Sequence, residues 1–224
     1  YNMWSSDQLA RALGEFDLTL WLSRTEIPAA SVADIVVRQP SFVESLAKTW
    51  RSSSPEALAD WMSWHTMTAF APYLTREVVQ AHFDFFGTTL SGTPELRARW
   101  KRGVSFVEAV MGEAVGKLYV EEHFPSDAKQ QMDELVAMLL RAYRESITEL
   151  SWMGPETKKK ALDKLDTFRP KIGYPSVWRD YSRLTVTPGD LWANVIAGNE
   201  FEFARELRKI GAPLDRDEWF MTPQ

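Results

Sequence analysis

Apolar residues recur along most of this chain in steps of three and four, the spacing that places side chains on one face of an α-helix. Ser5 with Gln8 has the form of a capping box and predicts a helix through Leu9, Leu13 and Phe16. Ile27-Pro28 interrupts the pattern. Ile35-Val36-Val37 ahead of Gln39-Pro40 reads as a short extended piece, because a residue before proline leaves the α region. Ser54-Pro55 predicts a cap followed by proline at the first helical position, opening a helix through Leu58, Trp61, His65 and Thr68. Thr75 predicts the next cap, for a helix through Val79, Phe83 and Phe86 that Gly87 should stop.

The longest stripe, Leu96, Trp100, Val104, Val107, Met111, Ala114 and Leu118, predicts a helix from about Thr93-Pro94 to Pro125. Arg99, Arg102, Glu113 and Lys117 are expected on its opposite, solvated face. Gly103, Gly112 and Gly116 fall inside it, each costing about 1 kcal/mol relative to alanine. They make sense where a second helix crosses closely. Further helices are predicted from about Asp127 to Leu150, from Gly154-Pro155 through Leu165, and from Asp190 onward until Gly211 and Pro213. Phe168 to Thr187 has no period and contains Pro170, Gly173 and Pro175, so it reads as a connector. The expected fold class is mainly α: a multi-helix lobe with long amphipathic helices and an irregular connector. The expected division is residues 1–167 as a helical lobe, 168–186 as connector and 187–224 as a returning helix.

Composition narrows the function classes. A chain of 224 residues can bury a substantial core, and 45% hydrophobic with 25% charged residues is ordinary for a globular protein. The net charge of −5, with no basic block beyond Arg97–Arg102 and Lys158–Lys160, argues against nucleic acid as a partner. Both runs read as solvated helix faces. The absence of cysteine removes disulfides, thiolate metal sites and thiol nucleophiles. No apolar run approaches the roughly 18 residues of a membrane span. The first residue is Tyr1 rather than Met, so no inference about a leader or compartment follows.

Candidate chemistry is sparse. His65, His82 and His123 include no pair at the four-residue spacing that grips zinc from one helical face. His65, beside Trp61, and His82, beside Phe86, are expected to be satisfied or partly buried histidines. Glu121, Glu122 and His123 are adjacent at a helix end and point in different directions, a poor ligand set. The carboxylate pairs Asp163 with Asp166 and Asp215 with Asp217 lie in polar stretches and read as solvated surface. Trp61, Trp100 and Trp192 are expected in the core, whereas Trp178 and Trp219 are expected to meet a partner surface. No residue is assigned a catalytic, metal-binding or substrate-binding role.

Three segments in order carry a resemblance. E-A-V-G-K-L-Y-V-E-E-H-F-P spans Glu113 to Pro125, L-S-W-M-G-P-E-T-K-K-K-A spans Leu150 to Ala161, and K-I-G-Y-P spans Lys171 to Pro175. With Tyr1-Asn2, with Trp100 and Arg102, and with Asp217-Glu218-Trp219, they resemble the region upstream of the catalytic lobe in neprilysin-like zinc metallopeptidases, most closely the actinobacterial members. Glu113 stands where the family has Asn, and Lys117 where it has Arg. The resemblance implies a non-catalytic helical lobe that encloses a substrate chamber and limits substrates to peptides. It implies that zinc, the H-E-x-x-H helix and the N-A-[YF]-Y substrate strand belong to a catalytic lobe of the same protein, beyond Thr222-Pro223-Gln224. No cofactor is then expected in this segment, and its partners are that catalytic lobe and peptide substrates. The alternative from a different class is a free-standing helical module that binds a peptide or protein without catalysis.

Overall fold

The computed structural model describes residues 2–221; Tyr1, the first half of the Tyr1-Asn2 pair, and Thr222-Pro223-Gln224 lie outside the described residues. Among the described residues, nine α-helices account for most of the fold: α1 (Ser6–Leu13), α2 (Leu18–Arg24), α3 (Pro40–Ser52), α4 (Pro55–Phe70), α5 (Arg76–His82), α6 (Arg99–His123), α7 (Ser126–Glu149), α8 (Pro155–Asp166) and α9 (Leu191–Leu207). Two three-residue strands, β1 (Met3–Ser5) and β2 (Asp34–Val36), pair antiparallel with Trp4 opposite Ile35. The chain is mainly α, as its periodicity predicts.

The local signals act as their chemistry requires. The Ser5 hydroxyl accepts the Gln8 N–H at 3.2 Å while the Gln8 side chain accepts the Ser5 N–H at 2.8 Å, closing the capping box. Ser54 caps α4 through the Ala57 N–H at 3.2 Å, with Pro55 at the first turn. Asp190 caps α9 through the Ala193 N–H at 2.9 Å. Residues 168–190 contain neither helix nor strand.

Two expectations fail at helix ends. Gly87 does not stop the helix that begins at Arg76: the backbone widens into a π-helical stretch over Phe83–Thr89 and continues. A Cβ at Gly87 would lie 2.5 Å from the Phe83 ring, so the glycine makes room for that ring within the wider turn. The long helix starts at Arg99 rather than at Thr93-Pro94, and it is kinked at Met111, where φ is −139° and ψ is 41°.

The chain divides into two compact units, one of Tyr1–Arg97 with Leu184–Leu214 and one of Ala98–Arg183 with Asp215–Gln224. In the first, α1 packs on α3, with Phe16 edge-on to Trp50 at 5.1 Å, and Leu13, Leu22, Val37, Ala47, Ala71, Val195 and Phe201 are buried. In the second, α7 packs on α8, and the buried residues include Gly112, Glu113, Gly116, Pro175 and Trp219.

Several side chains stand opposite to expectation. Trp61 and Trp100 are 61% and 68% exposed, Val104, Val107 and Leu118 on the same stripe as Trp100 are exposed, and Trp192 is only half covered, edge-on to Phe70 at 5.2 Å. Periodicity reports that a helix face is apolar; burial also needs an element to meet that face, and Trp61 and Trp100 stay mostly exposed, with His65 against the one and Lys101 over the other, each from the same helix. Conversely Glu113, expected in solvent, is buried, and Trp219, expected to face a partner, lies within this chain. His65 is exposed, its ring against Trp61 at 4.2 Å, whereas His82 is half-buried against Phe86 at 4.6 Å.

Candidate functional site

A network of specific contacts gathers the E-A-V-G-K-L-Y-V and K-I-G-Y-P segments, both in the second unit. It starts at the kink in α6. There the Glu113 N–H donates to the Tyr181 hydroxyl at 3.3 Å, an insertion of the kind that accompanies helix kinks. The Glu113 carboxylate accepts the Arg179 backbone N–H at 2.8 Å and faces the Arg179 guanidinium at 3.3 Å. Its side chain is 9% exposed and that of Arg179 is 23% exposed, so this pair is largely withdrawn from water. A buried carboxylate needs such partners, which explains why the connector crosses α6 here.

The next turn of the connector is held from α7. Lys129, one turn into that helix, donates to the carbonyls of Ile172 at 2.6 Å and Tyr174 at 3.0 Å, and its ammonium lies 4.4 Å above the Tyr174 ring. Between those carbonyls Gly173 has φ +70°, and a Cβ there would lie 2.8 Å from the Phe124 ring. Only glycine meets both demands. Tyr174 in turn stacks on Trp178 at 5.9 Å, so Trp178 is half-buried within the connector. Asp180, fully exposed, is held below the usual carboxylate range by the Ser182 backbone N–H and then by the Ser182 hydroxyl.

The connector also holds the last described segment. Arg169 pairs with Asp217 at 3.3 Å, and the Lys171 ammonium donates to the Glu218 carbonyl and lies 5.7 Å from the Phe220 ring centre. These contacts flank Trp219, which is buried. Beside the connector, α7 and α8 leave an open apolar cavity of about 820 Å³, lined by Leu139, Tyr143 and Ile147 of α7, Leu165 of α8, and Phe168 and Ile172 of the connector.

The other candidates remain apart. Glu122 and His123 approach to 3.9 Å, both exposed, and the His123 ring lies against Tyr119 at 4.9 Å. Asp163 pairs with Lys159, raising the Lys159 pKa, while Asp166 pairs with Arg144, so these two carboxylates serve different cations. Asp215 accepts the Asp217 N–H at 2.8 Å. Lys158 donates to the Thr148 carbonyl at 2.6 Å, and Lys160 pairs with Glu156 along α8. Among the described residues, no group of three or more His, Asp or Glu could hold a metal ion. Among the described residues, no helix is long and apolar enough to cross a membrane.

Sequence reasoning missed Glu113, Arg179 and Tyr181 as a unit. A carboxylate at the second position after a non-helical residue, between two glycines, carries no periodic signal that it points inward.

Comparison with known proteins follows the same contour. A sequence model of Peptidase family M13 matches residues 1–175. Neprilysin of Mus musculus is 29% identical over 206 residues, covering 88% of this chain and 27% of that protein. The neutral endopeptidase of Lactobacillus helveticus is 28% identical over 223 residues, covering 99% of this chain and 34% of that protein. Among solved structures, the crystal structure of the Mycobacterium tuberculosis zinc metalloprotease ZMP1 in complex with inhibitor superposes with a TM-score of 0.91 at 46% identity, over 99% of this chain and 33% of that one. The open state of the same protease gives 0.87 at 48% identity, over 100% of this chain and 34% of that one. The chain thus spans about a third of the length of its relatives.

Proposed function

This chain belongs to peptidase family M13, and on that premise we propose that it serves a zinc metalloendopeptidase as the non-catalytic helical lobe that encloses a substrate chamber and restricts substrates to peptides. The observation that carries the reading is the fit to a zinc metalloprotease at 46% identity over 99% of the chain. Zinc and the groups that activate water belong, in this reading, to a catalytic lobe of the same polypeptide, which is also the partner of this one. The division of labour follows the sequence: residues 1–167 form the chamber wall, 168–186 the connector and 187–224 the return toward the catalytic lobe.

What the segment contributes is steric. A chamber that admits peptides and rejects folded proteins needs rigid walls rather than proton-transfer groups, and the buried Glu113–Arg179 pair and the Gly173–Phe124 contact supply rigidity at the connector. Cleavage by the full-length protein of a peptide series of rising length, with a folded protein carrying the same sequence in a surface loop, tests the idea. The rate should collapse between the longest peptide and the folded protein. Equal cleavage of both would refute a size-limiting wall.

A further inference from the structure

Met111 divides α6: its φ of −139° and ψ of 41° lie outside the helical region, so the residues after it begin a new helical run inside the element. A helix start leaves backbone N–H groups without partners, and a cap residue supplies the acceptor for the N–H two or three positions on. Met111 holds that cap position but carries only a thioether, a weak acceptor. The N–H two positions on belongs to Glu113, and it donates to the Tyr181 hydroxyl at 3.3 Å. In an unbroken helix that N–H would serve the carbonyl of Ala109. The cap of this internal helix start therefore comes from the connector, 68 residues away.

The exchange is reciprocal. The Glu113 carboxylate accepts the Arg179 N–H at 2.8 Å and faces its guanidinium at 3.3 Å. In a capping box two residues of one helix start satisfy each other's N–H groups in the same way. Here the connector stands in for the cap residue, and a carboxylate in the first turn also suits the positive end of the new run. Glu113 is only 8% exposed, so undocking the connector would strip a buried carboxylate and a backbone donor of these partners. Forming the bond from Glu113 to the Ala109 carbonyl satisfies the donor again and straightens the helix.

We infer that the α6 kink is a conformational device set by the connector. With residues 179–181 docked, the helix is bent at Met111; with them released, it closes into a continuous helix. The contacts involved lie within the second unit alone, so a failure of the lobe reading above leaves this latch untouched. The competing explanation is a bend built into the Met111-Gly112 backbone, independent of the connector.

Tyr181→Phe in the full-length protein, which removes one hydroxyl, separates the two. The stretch from Lys101 to the kink is an arm of about 15 Å, so removing a bend of roughly 20° moves its tip by about 5 Å. Nitroxides on ketone-bearing residues placed at positions 101 and 138, both exposed, follow that movement against α7 by double electron–electron resonance. The parent should give one distance, and Tyr181→Phe a second population displaced by about 5 Å. The Arg179 amide, whose partner is the Glu113 carboxylate rather than the substituted hydroxyl, should exchange about tenfold faster in the variant. In the folded variant an unchanged distance would overturn the inference in favour of a built-in bend, and so would unchanged exchange at Arg179. Should the variant fail to fold, the parent decides. Its Glu113 and Arg179 amides should exchange at one common rate, as a single opening demands, and rates more than about tenfold apart would overturn the latch.

Discussion

The two halves of α6 belong to one helix yet meet opposite fates. From Arg99 to Val110 the apolar residues Trp100, Val104 and Val107 stand in solvent, and a Cβ at Gly103 would meet nothing within 4 Å. Past the kink at Met111, the buried positions are Gly112, Glu113 and Gly116, two residues without side chains and one carboxylate. The stripe that looks like core is bare, and the turn that looks polar, Gly112 to Gly116, holds the buried positions of the helix. Hydrophobicity assigns a face a tendency to be covered. What covers it is decided by whichever segment brings matching hydrogen bonds and shape, here the connector with Arg179 and Tyr181.

That contrast can be broken most forcefully at Glu113. Replacing it by alanine leaves the Arg179 guanidinium, three-quarters buried, without its carboxylate. Breaking such a pair should destabilise the second half by about 2–4 kcal/mol, with some relief because Arg179 keeps partial access to water. Denaturant unfolding checks this; an unchanged midpoint would mean that the pair is ornamental.

Gly112→Leu comes next. Forcing a side chain into the buried turn should cost ~1–3 kcal/mol, seen as a lower thermal midpoint. An unchanged midpoint would refute close packing there. Gly173→Ala should cost about 1–2 kcal/mol, because the new Cβ must accept φ +70° and displace the Phe124 ring; urea titration of the two proteins reads the difference.

Gly103→Ala sharpens the comparison from the other side. With open space around it, alanine should stabilise the first half by up to about 1 kcal/mol, through helix propensity alone. A loss of stability there would show that the exposed half is covered after all.

The smallest effect concerns pH. Asp180 has a depressed folded-state pKa because the Ser182 N–H and hydroxyl hold its ionised form. A depressed carboxyl contributes stability above its unfolded value, near 3.9, and loses that contribution as pH falls through the lower folded value. Asp180→Asn should therefore flatten the acid limb of the melting-temperature profile below about pH 4. The group is fully exposed, so a large shift would contradict the assignment.

These outcomes also mark what was legible beforehand. Caps and breakers act within four residues, so Ser5-Gln8, Ser54-Pro55, Pro125, Gly154-Pro155 and Asp190 located helix ends correctly. Burial is a long-range property. Glu113 is satisfied by residues 66 and 68 positions away, and Glu218, next to the buried Trp219, is held by Lys171 from 47 positions away. No local period encodes those meetings, which is why Trp61 and Trp100 were placed inside and Trp219 outside. The buried Gly112 and Gly116 were legible as a close approach, but Gly103 was not distinguishable from them. The partner identified at Glu113, between them, is the connector; a crossing helix was expected.

Where the zinc chemistry resides decides between a non-catalytic lobe and a self-sufficient enzyme. A quenched fluorescent nonapeptide, incubated with the full-length protein and with the purified 224-residue chain, each with and without added zinc, decides it. The account predicts zinc-dependent, chelator-sensitive cleavage by the full-length protein and none by the chain under either condition. Zinc-dependent cleavage by the 224-residue chain itself, or a full-length protein inert with zinc, would contradict it.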